Sequence, residues 1–237
     1  MGQSFFIWNG IDCRSMGVRL QGPVPIVRPE ERVNHVQIPG RSGDLTETEG
    51  ENIYNSYIQT ATILVKSGYR VREIYKWLRG AGYVTFSGEP DRKQPARIIG
   101  AVTLNKHSYN LDWWVGEVQF YCQPFKERLR EEKVDISSSG TSVYNAGDVE
   151  ARPLWKVTAS GSTVVISAGG KTITCTDYTS GQVLLIDSEI YTIFNSDQTA
   201  DWTKWSSGDF PVLLPGVNEI NGSGWSAIEL TKRERFL

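Results

Sequence analysis

Histidine and methionine are nearly missing from this 237-residue chain, at two copies each, and cysteine occurs only three times. His35 and His107 stand far apart, outside any HExxH or His-x-His spacing, so nothing points to a histidine-based metal centre. Cys13, Cys122 and Cys175 are odd in number and widely separated, which argues against a disulfide framework and against a thiolate zinc site. Neither sign of charge dominates: 25 Lys and Arg face 27 Asp and Glu, for a net charge of −2. A nucleic-acid binder that relies on a broad basic surface is not composed this way. A run of about 18 apolar residues, the minimum for a membrane-spanning helix, is lacking. The opening MGQSFFIWNGIDC has neither the basic flank nor the apolar stretch of a secretory signal, and Phe6 stands where N-myristoylation asks for Ser or Thr. GxSxG, GxGxxG and GxxxxGK[ST] do not occur, so neither serine-type catalysis nor nucleotide binding has sequence support, and no cofactor is expected.

What is present is a β-rich globular chain. Apolar residues make up 39% and charged residues 22%, which excludes wholesale disorder. The length suits one or two domains of about 150 residues. Residues 1–130 hold 17 basic and 13 acidic side chains, residues 131–237 hold 8 and 14, and the charged, serine-rich stretch KERLREEKVDISSSG lies between. The composition changes there, so the domains are drawn at 1–132 and 133–237.

In the first half, Phe5 to Trp8 read as a strand closed by the hairpin signal Asn9-Gly10. IQTATILV (58–65), RIIGAVTL (97–104) and WWVGEVQFYC (113–122) carry β patterns; Ile98, Val102 and Leu104 share one face, as do Trp114, Val118 and Phe120. One helix is predicted over 70–79, with Val71, Ile74, Tyr75 and Leu78 on its apolar face and Gly80 as its stop. Residues 37–52, QIPGRSGDLTETEGEN, combine Pro, three Gly and many polar residues; they are expected to form a long loop or extended arm. The second half reads as short strands only: STVVISA and KTITCT around Gly169-Gly170, QVLLI and EIYTIF around Asp187-Ser188, then FPVLLPG, VNEI and WSAIEL, parted by Pro215-Gly216 and Asn221-Gly222. That spacing predicts a β-sandwich of roughly 100 residues.

Several residues invite a chemical reading. Cys122 and Cys175 sit inside strand patterns and are expected to be inert core thiols. Glu89 with Asp91, and Asp187 with Glu189, are the compact acidic pairs a glycosidase would need, but both lie among turn residues. Trp155 alternates with polar neighbours as a core residue would, whereas Trp202 and Trp205, in DWTKWSSGD, look exposed and are the candidates for glycan contact. The arginines and lysines of the first half, Arg28, Arg32, Arg41, Arg70, Arg72, Arg79, Arg92, Lys93 and Arg97, are dispersed among acids as on a solvated or subunit surface. A binding or assembly protein remains: β edges with unpaired backbone groups pair with a neighbour's sheet, and a head-to-tail contact whose rotation closes makes a ring.

Taken in order, FFIWNGIDCRSMGV, QIPGRSGDLTETEG, GYVTFSGEPDRKQPARIIG and WWVGEVQFYCQPF resemble the N-terminal domain of siphophage distal tail (Dit) proteins. YNAGDVEARPLWKVTASGSTVVISAGGKTI, LLIDSE and SGDFPVLLPGVNEI resemble the family's galectin-like C-terminal domain. The resemblance implies a mainly β chain: a tail-tube-like β-sandwich with one α-helix, then a galectin-like β-sandwich projecting outward. It implies a non-enzymatic subunit of a hexameric ring, alone or paired, assembled in the host cytoplasm and located at the virion tail tip. Such a ring joins the tail-tube protein to a tail-associated lysin or fibre protein and lets the tape-measure protein and DNA pass, with no membrane contact and no sequence-specific nucleic-acid binding. The alternative function is a carbohydrate-binding module for host surface glycans. By this resemblance Gln37 to Asn52 embrace the neighbouring subunit, with Pro39, Gly40, Arg41, Gly43 and Asp44 matching a P-G-R-x-G-D pattern; Arg41 and Asp44 are able to pair across subunits. Gly208, Asp209, Phe210, Pro215, Gly216 and Asn218 match GDFP…PGxN and are expected to serve turns and core. Because the chain ends at Leu237, the carbohydrate modules inserted in extended members are expected to be lacking, which speaks against direct host adsorption.

Overall fold

The structure, a computed structural model, describes residues 4–48, 50, 52–66, 71–107 and 112–237. It divides into two compact units, Met1–Leu129 with Leu237, and Arg130–Phe236.

In the first unit Asn9 and Gly10, at φ 50° and 79°, form the tight turn between β1 (Phe6–Trp8) and β2 (Ile11–Asp12). The following strands are β3 (Val18–Leu20), β4 (Val33–Val36), β5 (Leu45–Thr48) and β6 (Tyr57–Lys66). Helix α1 (Val71–Trp77) precedes β7 (Ala81–Phe86), β8 (Arg92–Ile99), β9 (Leu104–Lys106), β10 (Trp113–Cys122) and β11 (Lys126–Arg128). An antiparallel sheet runs β2-β1-β7-β8-β10-β6-β3. Alternation decides its faces: Val118, Phe120 and Cys122 are fully buried while Glu117, Gln119 and Tyr121 point to water. The core is aromatic, with Phe6, Trp8 and Phe86 each packed against Phe120 at centroid distances of 5.4 to 5.6 Å.

Two first-half expectations need correction. The helix docks through Ile74 and Leu78 as expected, but Tyr75 is 40% exposed and Trp77 takes its place. Trp77 stacks on Phe6 at 5.5 Å and its indole N–H donates to Trp8 O at 3.2 Å. An indole that is both stacked and hydrogen-bonded uses the core position more fully than a phenol, whose hydroxyl is as well served by water. Arg70 lies outside the described residues. The stretch 97–104 is not one strand. β8 ends at Ile99, Gly100 turns away at φ 69°, and β9 begins at Leu104. Both strands pair with the same edge of β10, at Gln119–Cys122 and Trp114–Gly116. A Cβ on Gly116 would stand 2.4 Å from Thr103 O, so glycine is what lets the returning chain close on the sheet.

The second unit is a sandwich of two five-stranded antiparallel sheets. Its strands are β12 (Lys133–Ile136), β13 (Thr141–Asn145), β14 (Leu154–Ala159), β15 (Thr163–Ala168) and β16 (Lys171–Thr176). They continue with β17 (Val183–Asp187), β18 (Thr192–Asn195), β19 (Trp205–Gly208), β20 (Gly216–Ser223) and β21 (Trp225–Thr231). One sheet runs β12-β21-β14-β17-β18 and the other β13-β20-β15-β16-β19. Trp155, Val157, Ile166, Ile173, Leu184, Ile186 and Leu230 fill the space between them. Gly169 and Gly170 make the expected two-residue turn, at φ 57° and 76°. Asp187-Ser188 does not: β17 runs through Asp187, and Ser188 to Tyr191 form a longer connection to β18. Ser188 is fully buried there, because its hydroxyl accepts from Trp155 Nε1 (3.1 Å) and donates to Pro211 O (2.7 Å). FPVLLPG makes only a bridge, between Leu213 and Ala151, and Asn221-Gly222 lies inside β20 rather than in a turn. A Cβ on Gly222 would meet Val165 O at 2.0 Å, so this glycine permits strand contact instead of chain reversal.

Candidate functional site

The segment expected as an arm is half of a ribbon. β4 and β5 pair only with each other, in the register Val33↔Thr48 to Val36↔Leu45, and belong to no larger sheet. The base is tied by the Glu31↔Tyr54 bridge, by Arg32 N–H to Ile53 O (2.8 Å) and by Asn55 N–H to Glu30 O (2.8 Å). The first strand, Val33–Val36, falls outside the 37–52 stretch, since four residues of mixed polarity carry no strand signal alone. Glu49 and Glu51 lie outside the described residues. Pro39 and Gly40 form a type II turn: Gly40 has φ 83°, and Arg41 N–H donates to Ile38 O at 3.1 Å. Gly43, at φ 81°, lies in a bend just before Asp44. Arg41 and Asp44 are exposed, and neither side chain has an ion-pair partner among the described residues. His35 and Thr46 face each other across the ribbon at 3.4 Å. Every residue from Asn34 to Asp44 is exposed, Val36 and Ile38 included. A lone two-stranded ribbon is marginal in water, and this one leaves both edges unpaired.

The acidic pairs are engaged in structure. Glu89 receives the buried Lys126 ammonium at 2.7 Å and Arg92 at 3.6 Å. Asp187 is held by Arg233 through two bonds of 2.7 and 3.1 Å, and Glu189 pairs with Arg235. Asp91 lies 3.9 Å from Arg92. The three cysteines are buried and unbonded to one another; burial pushes the Cys122 and Cys175 thiols up to about 12 and raises Cys13 as well. Among the described residues no group of three or more His, Cys, Asp or Glu is arranged to hold a metal, and no helix is long and apolar enough to cross a membrane.

The GDFP…PGxN residues serve the sandwich. Gly208, at φ 91°, lies where a Cβ would stand 2.0 Å from Thr172 O, and Asp209 N–H donates to that same carbonyl at 2.9 Å. Phe210 is buried. Asn218 accepts from Leu214 N–H (2.8 Å) and donates to Leu214 O (2.7 Å) and Gly216 O (3.1 Å), holding the Pro215-Gly216 turn closed. Trp202, on a 3-10 turn, and Trp205, at the start of β19, are 53% and 43% exposed. Sequence reasoning missed the cleft of about 720 Å³ on the outer face of the β12–β18 sheet, where Leu154, Leu185 and Phe194 face Lys133, Lys156 and Glu229. Its residues come from separate strands, so only the sheet order assembles it.

No protein-family model and no curated protein matches the chain. Among solved structures, it is similar to the crystal structure of SPP1 Dit (gp 19.1), presented as a paradigm of the hub adsorption apparatus in phages infecting Gram-positive bacteria. The likeness has a TM-score of 0.76 over 100% of both chains, at 19% identity. The chain has the fold of a Dit protein. Sharing the Dit fold end to end means that both units recur, in the same order, with few residues in common.

Proposed function

We propose that this chain is a structural hub subunit of a phage tail tip. Six copies close into a ring through the first unit, whose ribbon, with Pro39, Gly40, Arg41, Gly43 and Asp44 at its tip, embraces the neighbouring copy. The galectin-like second unit is the site of further attachment. The ring joins the tail-tube protein to a tail-associated lysin or fibre protein, and its channel passes the tape-measure protein and DNA. Assembly takes place in the host cytoplasm and the final location is the virion tail tip. The observation that carries this reading is the Dit fold over the whole chain. The ribbon supports it: two exposed strands with open edges gain backbone partners when another copy supplies them. Carboxylates engaged by arginine and lysine fit a scaffold better than a catalyst.

The test is size-exclusion chromatography with light scattering, followed by negative-stain images. The intact chain is expected as rings. Replacing residues 34–47 by a short Gly-Ser turn is expected to leave both units folded and the rings lost. Rings that survive this replacement rule out the ribbon as the clamp, and an intact chain that stays monomeric even with tail-tube protein overturns the hub reading.

A further inference from the structure

In the second unit, the connection after β17 and the 3-10 turn before β19 meet over Phe210. This ring is 8% exposed and receives two others edge-on: Tyr191 at 5.6 Å and 85°, and Trp202 at 6.2 Å and 71°. The two outer rings are themselves 43% and 53% exposed. A sandwich that buries Trp155 completely thus leaves two large aromatic surfaces in water, both packed edge-on against the same buried ring.

Both rings are held in place by local structure. Tyr191 has φ 52°, a left-handed conformation costing an L-residue about 1–2 kcal/mol, where Gly or Asn is the usual occupant. A bulky aromatic kept in that conformation with its ring half in water is the kind of strain found at ligand clamps. Trp202 is fixed from its other side. Asp201 caps its turn by accepting from Thr203 N–H at 3.1 Å and from Asn195 Nδ2 at 3.1 Å.

The surroundings decide the class of ligand. The Arg152 guanidinium lies 5.5 Å over the Tyr191 ring, and its Nε and Nη2 both donate to Glu150 Oε1 at 3.2 Å. Arg152 and Glu150 are partly exposed, so donors and a carboxylate stand beside the aromatic surface. Residues 131–237 carry 8 basic against 14 acidic side chains, which repels anionic polymers. An apolar ring face flanked by hydrogen-bonding groups, in an acidic domain, matches a neutral sugar, whose pyranose ring has a C–H face and a rim of hydroxyls.

We propose that Tyr191 and Trp202, seated on Phe210, form a saccharide-binding platform for the C–H face of a neutral hexose or N-acetylhexosamine, with Arg152 and Glu150 directed to its hydroxyls. Trp205 is not part of it. Its indole N–H donates to Gly208 O at 3.3 Å, and it makes no ring contact with Phe210 among the described residues. The site therefore replaces the Trp202 and Trp205 pairing that adjacency in sequence suggests. It does not depend on ring formation.

The test is an array of neutral hexose and N-acetylhexosamine oligosaccharides probed with the full chain, followed by titration of the bound sugars in solution. Binding is expected, with Trp202→Ala weakening it about tenfold or more and Trp205→Ala leaving it within about twofold. Tyr191→Gly is the companion variant: it removes the ring while relieving the φ strain, and its melting temperature, read beside its affinity, separates lost contact from lost fold. An array with no bound saccharide, or binding unchanged in Trp202→Ala and Tyr191→Gly, overturns the platform. Ring assembly, measured on the same variants, is expected to be intact; an intact chain that binds the sugar but forms no rings would count against the hub reading alone.

Discussion

Lys232 offers the sharpest stability test. It is 4% exposed, and its ammonium donates to Tyr144 O at 2.8 Å and pairs with Glu234 at 2.9 Å and Glu132 at 3.0 Å. Glu234 is 2% exposed and also accepts the Ala146 N–H at 2.9 Å. Lys232→Met keeps most of the side-chain stem but removes the ammonium that pairs with a buried carboxylate. Breaking a buried pair from one side costs about 3–5 kcal/mol. The orphaned Tyr144 carbonyl adds about 1 kcal/mol if no water replaces the lysine. Hydrogen exchange of β13, β14 and β21 in the full chain reads this within the second unit. Because about 1.4 kcal/mol is a factor of ten, exchange through whole-unit opening is expected to accelerate by roughly two to four orders of magnitude. Lys232→Met combined with Glu234→Gln removes both charges of the buried pair and is expected to recover a large part of the loss. Acceleration below about tenfold in the single variant, or a double variant as damaged as the two singles combined, would refute the argument from burial.

Two further outcomes follow from the geometry. Gly208→Ala places a methyl 2.0 Å from Thr172 O and is expected to lower the melting temperature far more than Gly170→Ala. Gly170 has open space around it and only its φ of 76° to set against a cost of about 1–2 kcal/mol; equal effects would remove the steric account. Cys122 and Cys175, raised by burial to about 12, are expected to react with a thiol reagent at pH 8 orders of magnitude more slowly than free cysteine unless the protein is denatured. A thiol whose folded pKa is raised stabilises the fold below its unfolded pKa, about 8.5, and loses that contribution as pH rises toward the folded value. The urea midpoint should accordingly fall above about pH 9, and a flat alkaline limb would contradict it.

Local signals in the sequence succeeded where the determining contacts are themselves local. Asn9-Gly10 and Gly169-Gly170 make the turns expected of them, because a two-residue hairpin asks only for positive φ. Alternation placed Trp155, Val118 and Phe120 in cores, since the pleat ties side-chain direction to position. The same reasoning failed at Asn221-Gly222, where the glycine serves contact with Val165, and at 97–104, where the return of the chain to β10 splits one apparent strand into two. It chose Tyr75 over Trp77 because helical spacing does not know which aromatic ring has a partner waiting at Phe6.

The sequence by itself determined a mainly β chain with one helix and an unusual polar stretch at 37–52. These depend on composition and short-range geometry, which the order of residues carries directly. Only the tertiary structure decided that this stretch is the second strand of an exposed ribbon, that Asp187 and Glu189 are paired with Arg233 and Arg235, and that Tyr191 and Trp202 meet over Phe210. Each of these joins residues brought together by sheet order or chain return, and that proximity is set by packing rather than by spacing along the chain.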